Sequence, residues 1–201
     1  MAERAVGVAQ GADDFVLMWI GVGLGLATIL GGRLHRGVAG AAGEIGYLPV
    51  PGVPLPQDVS HPATGAFQSL VGGSAVRPLA ESYGFAAPTA AAAVQAAVAA
   101  AAAGDERGRG LLDELAARVA TGAAAVSVVL DPGLVVLGGE VGLAGGTALA
   151  DRVAAEVGRI CPAHPQVVPT GVSGQPVLLG AILAAVEQAR GELLASVAGP
   201  Y

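Results

Sequence analysis

The sequence predicts an α/β domain built on a mixed sheet, and three observations carry that prediction. Two short apolar runs, 15–20 (FVLMWI) and 26–30 (LATIL), are separated by a glycine turn, the pattern of an antiparallel hairpin. Late in the chain, short apolar runs alternate with helix-length segments, which implies parallel pairing. The 201 residues are 53% hydrophobic and 13% charged, enough apolar material to bury a core and too little charge for a disordered chain.

In chain order, residues 4–14 read as a helix tail closing in a turn at Gly11-Ala12-Asp13-Asp14. The run 15–20 is bulky and continuously apolar, the mark of a strand buried on both faces. Gly21-Val22-Gly23-Leu24-Gly25 turns the chain into the second strand, which stops at Gly31-Gly32. Glu44 to Val50 is expected as a third strand, ended by Pro49 and Pro51. Residues 51–76, rich in Pro, Gly, Ser and His, read as a long loop. A helical pattern begins at Pro78. Thr89 is an N-cap for an alanine helix that stops at Gly104. A second helix is expected from 110 or 111 to 130, with Leu111, Leu115, Val119 and Val126 on one face, broken by Asp131-Pro132-Gly133. A strand at 134–137 leads into Gly138-Gly139. A helix at 147–160 follows, with Leu149, Val153 and Val157 aligned. A short strand at 166–169 and a helix from Pro176 to Val197 complete the order.

Composition excludes several functions. Net charge is −6, with ten arginines and no lysine, so the chain lacks the clustered cations that hold nucleic acid. Cys161 is the sole cysteine, which excludes an internal disulfide and a multi-cysteine zinc site. His35, His61 and His164 have no metal-ligand spacing, so no metal is expected. The start lacks a basic region followed by an apolar one. The longest apolar run, 16–30, is shorter than the ~20 residues of a membrane helix and is interrupted by glycine. The expectation is a soluble cytoplasmic protein without membrane contact.

Three constellations could carry chemistry. Gly21-Val22-Gly23 lets backbone amides approach a phosphate, although a tight hairpin turn is the plainer reading. Neither the dinucleotide pattern nor the Walker pattern fits: Leu26 stands where the last glycine belongs, and the chain has no lysine. Leu137-Gly138-Gly139-Glu140 places glycines where α/β folds bind ligands, outside the carboxyl ends of strands; a plain strand-to-helix turn reads equally well. Gly43-Glu44-Ile45-Gly46 sets a carboxylate between glycines, suited to sugar hydroxyls or to an exposed turn. Asp13 and Asp14 read as a solvated turn and Cys161 as a passive thiol.

Taken together and in this order, these segments resemble the C-terminal half of the ROK (repressor, open reading frame, kinase) family. The run 15–50 is similar to the family's phosphate hairpin followed by its Gly-Glu-Ile-Gly-His signature. LDPGLVVLGGEVG resembles its segment near the adenosine site, and QPVLLGAILAAVEQA its closing helix. The resemblance implies an actin-like or ribonuclease-H-like fold, and a family of sugar kinases and sugar-responsive repressors that usually form oligomers. It also exposes departures. The family's kinases use an Asp after an Asn as base, a pair expected just before Met1. The family's Gly-Thr-Gly reads Gly21-Val22-Gly23 here. The zinc-binding His reads Tyr47, the cysteine stretch aligns with 59–66, and a sugar-ligating glutamate reads Gln68.

The resulting expectation is one domain over 1–201, the sugar-sensing and self-associating C-terminal part of a ROK-type transcriptional regulator, with no catalytic residues and no cofactor. Glu44, Tyr47 and Gln68 are its sugar-binding candidates; Gly21, Gly23, Gly25, Gly138 and Gly139 are remnants of nucleotide loops. Its expected partners are a small sugar and copies of itself, as a homodimer or higher homo-oligomer. DNA would be reached only through a helix-turn-helix outside this chain. One alternative is a partial ATP-dependent sugar kinase that needs its N-terminal lobe. Another is a pure self-association domain that pairs through helices 89–103 and 111–130.

Overall fold

The computed structural model describes residues 1–60 and 65–198, which divide into two compact units. The larger spans Asp13–Thr170 and the smaller joins Met1–Ala12 to the chain from Gly171 onward.

The larger unit is a five-stranded mixed sheet with helices. Strand β1 (Phe15–Ile20) is central because its apolar run can be buried on both faces: Phe15, Val16, Met18 and Ile20 are all at 1% exposure or less. It pairs antiparallel with β2 (Leu24–Leu30), from Phe15 opposite Ile29 to Ile20 opposite Leu24, so the glycine turn does close a hairpin. On its other side β1 runs parallel to β4 (Leu134–Gly138), which in turn runs parallel to β5 (Gln166–Pro169). With β3 at Arg33–His35, the strand order is β3-β2-β1-β4-β5. This is the α/β architecture with a mixed sheet that the sequence predicts.

The third strand is a correction. Strand β3 is Arg33–His35, antiparallel to β2 beyond the Gly31-Gly32 turn. The expected strand at Glu44–Val50 instead forms a 3-10 turn over Ile45–Tyr47. Gly43 keeps one sheet-like bond, its carbonyl accepting from Leu26 N at 2.8 Å. The amides of Ile45, Tyr47 and Leu48 are satisfied locally, by Gly43 O at 2.7 Å, Glu44 O at 3.1 Å and Ile45 O at 3.0 Å, so the chain coils instead of continuing a ladder.

The helices extend further than periodicity alone suggests. The segment expected as loop through 76 already contains α2 (Gln68–Val71) and α3 (Gly73–Ser82), which carries Pro78 within it. Helix α4 (Ala90–Ala102) is capped by Thr89, whose hydroxyl accepts from Ala92 N at 3.1 Å. Helix α5 (Glu106–Leu130) starts a turn earlier than expected, capped by Asp105. Its early glycines hide the start from a propensity reading, yet Gly108 is needed: a Cβ there would lie 2.6 Å from the Ala101 amide nitrogen of α4. Helix α6 (Gly139–Ile160) likewise begins before 147, as two helical segments joined at Gly146 (φ 53°, ψ −149°). Leu112, Leu115 and Val119 of α5 and Leu149 and Val153 of α6 are fully buried in one core with β1 and β4.

The smaller unit holds α1 (Ala2–Val6) and α7 (Pro176–Ala198). Glu3 is 3% exposed, and its Oε2 accepts from Val8 N at 3.0 Å and Gly171 N at 3.3 Å, which ties the two chain segments of this unit together.

Candidate functional site

A crevice of about 520 Å³ opens at the carboxyl ends of the parallel pair β1 and β4. Gly139 makes the approach of these two segments feasible: it has φ 77°, and a Cβ on it would lie 2.6 Å from the Ile20 carbonyl carbon. The chain leaving β4 therefore passes directly beside the start of the hairpin turn. In the crevice wall Gly21 and Val22 of the turn meet Glu140 and Val141 of α6. The opposite wall comes from Ser74, Arg77 and Pro78 of α3 and from Thr89 at the head of α4. This wall is invisible to sequence reading; Thr89 could be found as a helix cap, but nothing in its neighbourhood marks it as lining a site.

Two of the sequence constellations thus share one crevice, but the glycines differ in role. Gly21 lines it. Gly25 pairs with Trp19 in the hairpin, and Gly138 packs beneath Leu17, whose Cδ1 would sit 2.8 Å from an added Cβ. Two amides that flank the tip of the turn are bound internally. Gly21 N donates to Gly23 O at 3.1 Å, and Leu24 N donates to Gln68 Oε1 at 2.8 Å. Gln68 Nε2 in turn donates to Val22 O at 3.0 Å. Val22 itself is 87% exposed, so a solvent-facing apolar side chain stands at the tip of the turn. The Glu140 carboxylate faces the turn: a Cβ on Gly21 would run into its Oε2, and Trp19 Nε1 would lie 3.0 Å from the same point. Arg77, the cation in the wall, is ion-paired with Glu81 at 3.4 Å.

Glu44 and Tyr47 lie together in a separate, open recess of about 350 Å³ with Leu26, Gly43, Ile45 and Leu48. The Tyr47 hydroxyl donates to Val59 O at 2.9 Å. Gln68 stands behind this recess, not in its wall. Gly46 separates them, and a Cβ on Gly46 would be 3.2 Å from Gln68 Oε1. The three sugar-binding candidates therefore divide into an exposed Glu44 and a half-buried Tyr47 that share the recess, and a buried amide, Gln68, bonded to the hairpin.

The remaining polar residues are dispersed. Asp14 Oδ1 accepts from Gly31 N at 2.7 Å and closes the β2–β3 turn. Cys161 is buried, its sulfur 3.8 Å from Ala124 O. His61, with the rest of 61–64, lies outside the described residues. Among the described residues no three His, Cys, Asp or Glu side chains gather into a potential metal site.

With this geometry in hand, the relatives are informative. A model described as the ROK family matches residues 1–187. The bifunctional enzyme NanE/NanK of Brucella suis biovar 1 (strain 1330) is 33% identical over 144 residues, 72% of this chain and 25% of that enzyme. The crystal structure of the ROK hexokinase from Thermus thermophilus matches with a TM-score of 0.73 at 28% identity, over 94% of this chain and 62% of that one. A ROK family glucokinase from Streptomyces griseus, solved with glucose and AMPPNP, matches with a TM-score of 0.73 at 27% identity, over 90% and 62%. A ROK family transcriptional regulator described as a homolog of the E. coli MLC protein shares the fold, with a TM-score of 0.67 at 23% identity, over 87% and 46%. The chain thus spans a quarter of the curated relative and about three fifths of each solved kinase.

Proposed function

The chain belongs to the ROK family, and from that premise we propose that it is a non-catalytic, sugar-sensing domain of a regulator of that family. The condition of the hairpin turn carries this reading. Phosphoryl transfer depends on positioning and on stabilising negative charge. Here the Gly21 and Leu24 amides are bound internally, Val22 supplies no hydroxyl, and the charged group facing the turn is a carboxylate, Glu140. The sugar's place is the recess at Glu44 and Tyr47, where a carboxylate and a phenol can bind hydroxyls and Leu26 and Leu48 can meet a sugar's apolar face. Gln68 supports that site from behind. The fold shared with a ROK transcriptional regulator is consistent with this role. Sugar binding would shift the arrangement of subunits in a homodimer or larger homo-oligomer, and with it DNA-binding modules outside this chain. Isothermal calorimetry of the full-length protein with glucose, fructose and N-acetylated hexosamines tests it. At least one should bind, and Glu44→Ala should weaken it by about tenfold or more, the loss of hydrogen bonds to a charged group. Absence of binding across the panel rejects the reading.

A second reading, part of an ATP-dependent sugar kinase, is favoured by the crevice itself and by the identity to NanE/NanK and the AMPPNP-bound glucokinase. In it the crevice takes the nucleoside end of a nucleotide, and a separate N-terminal lobe supplies the base. Sugar-dependent ADP release, from this chain alone or mixed with that lobe, would favour it over the first.

A further inference from the structure

We infer that Tyr47 ties the segment 51–60 to the recess, so that a sugar bound beside Glu44 tightens this segment and the segment in turn strengthens sugar binding. The inference rests on the recess being the sugar site. The chain leaves the 3-10 turn at Leu48 and returns to the same point, where Phe67 N donates to Leu48 O at 3.0 Å. The first half of the segment is held from that side. Ala66 N donates to Pro54 O at 2.8 Å, and a Cβ on Gly65 would lie 2.4 Å from the same carbonyl oxygen. The far half stands outward: Val59 is 81% exposed, and Ser60 N is bound within the segment, to Asp58 Oδ1 at 2.7 Å. A bond from the recess reaches this half, the Tyr47 hydroxyl donating to Val59 O at 2.9 Å.

One side chain thus serves both the recess and the segment. Tyr47 lines the recess with Glu44, and its backbone is fixed there by Tyr47 N donating to Glu44 O. The phenol has one proton, and because a carbonyl can only accept, that proton points to Val59 O. A ligand in the recess therefore meets the phenol as an acceptor and must donate to it, as a sugar hydroxyl can. The Glu44 carboxylate likewise asks for donors, so one hydroxyl-bearing ligand satisfies both residues. Hydrogen bonds in such a chain polarise one another: a phenol oxygen that accepts from a sugar donates more strongly to Val59 O. The effect is mutual by linkage. Whatever factor the sugar adds to closure of the segment, the closed segment adds to sugar affinity.

The test follows hydrogen exchange of the 51–60 amides by mass spectrometry in the full-length protein, without sugar and with glucose, fructose or N-acetylglucosamine. It is repeated with Tyr47→Phe, which keeps the ring and removes the hydroxyl, and calorimetry reports sugar binding to both proteins. Without sugar, Tyr47→Phe should speed exchange of these amides by about twofold to tenfold, the net worth of one hydrogen bond, while the amides of β1 stay unchanged. A sugar that binds should slow exchange of the segment about twofold or more in the unmodified protein and leave it unchanged in Tyr47→Phe, whose affinity should fall by at least the same factor. If the sugar-free rates of the two proteins match, or a bound sugar slows neither protein or both equally, the role of Tyr47 is overturned while the recess reading stands. If no sugar on the panel binds, the recess reading fails and the coupling with it.

Discussion

A single buried amide holds the tip of the β1–β2 hairpin. Gln68 is 7% exposed and spans the turn, accepting from Leu24 N and donating to Val22 O, while Gly46 and Gly72 leave room for its side chain. Replacing it with leucine would leave a strand N–H and a turn carbonyl without partners. Each orphaned buried group costs about 1–3 kcal/mol, so Gln68→Leu should lower stability by about 2–4 kcal/mol in urea denaturation followed by Trp19 fluorescence. A loss below about 1 kcal/mol would show that the turn holds its shape without this clip. The family resemblance marks this position as a sugar ligand; the hydrogen bonds describe a residue that organises the hairpin, with one N–H and one lone pair still unused.

Helix α5 shows how a cap and a set of close contacts define an element that propensity alone would shorten. Asp105 accepts from Arg107 N at 2.8 Å and pairs with the Arg107 guanidinium. The Arg107 side chain first, and its backbone amide second, hold the Asp105 carboxyl below its ordinary value near 3.8. A carboxyl with a depressed folded value binds fewer protons in the folded state. Its stabilising contribution is therefore present above the unfolded value and lost as pH falls through the folded one. Order at the N-terminus of α5 should accordingly persist at neutral pH and fade only in strong acid. The Arg107 amide resonance should titrate with a midpoint below 3.8 in the unmodified protein, and Asp105→Asn should remove that titration. A midpoint at or above 3.8 would contradict the cap. Further along, Gly122 of α5 faces the Phe67 ring, whose Cε2 would lie 3.1 Å from an added Cβ, so glycine here is a packing requirement.

For the molecule as a whole, self-association is the proposal most open to measurement. The helices expected to supply a contact are mostly turned inward: Ala93, Val94 and Ala97 of α4 and Leu111, Leu115 and Val119 of α5 are fully buried. The exposed large apolar side chains of α5 are Val128 and Val129. In the smaller unit, α7 exposes Val177, Leu178, Ile182, Leu193 and Leu194. Apolar surface of this kind favours association. Light scattering at micromolar concentration should return a dimer or larger species, and Leu193→Glu with Leu194→Glu should reduce it if α7 takes part. A monomer would reject the self-association proposal and the subunit rearrangement that depends on it. Among the described residues no helix is long and apolar enough to cross a membrane.

The amino-acid sequence by itself determined where four of the five strands and most helices lie. Burial on both faces leaves a continuous apolar run, as in β1 and β4, and alanine strongly prefers helix, as in α4. It concealed β3, whose three residues Arg33–His35 are too short to show a period, and the glycine-rich start of α6, where Gly142 must lie close against the Leu137 backbone. Glycines that serve packing look the same in sequence as glycines that serve turns. The chemistry of the site was decided by tertiary structure alone. Gln68 meets Leu24 from 44 residues away, and Glu140 meets Gly21 only because β1 and β4 run parallel and end side by side. Local residue order specifies backbone preference, whereas which polar groups face each other depends on how distant segments pack.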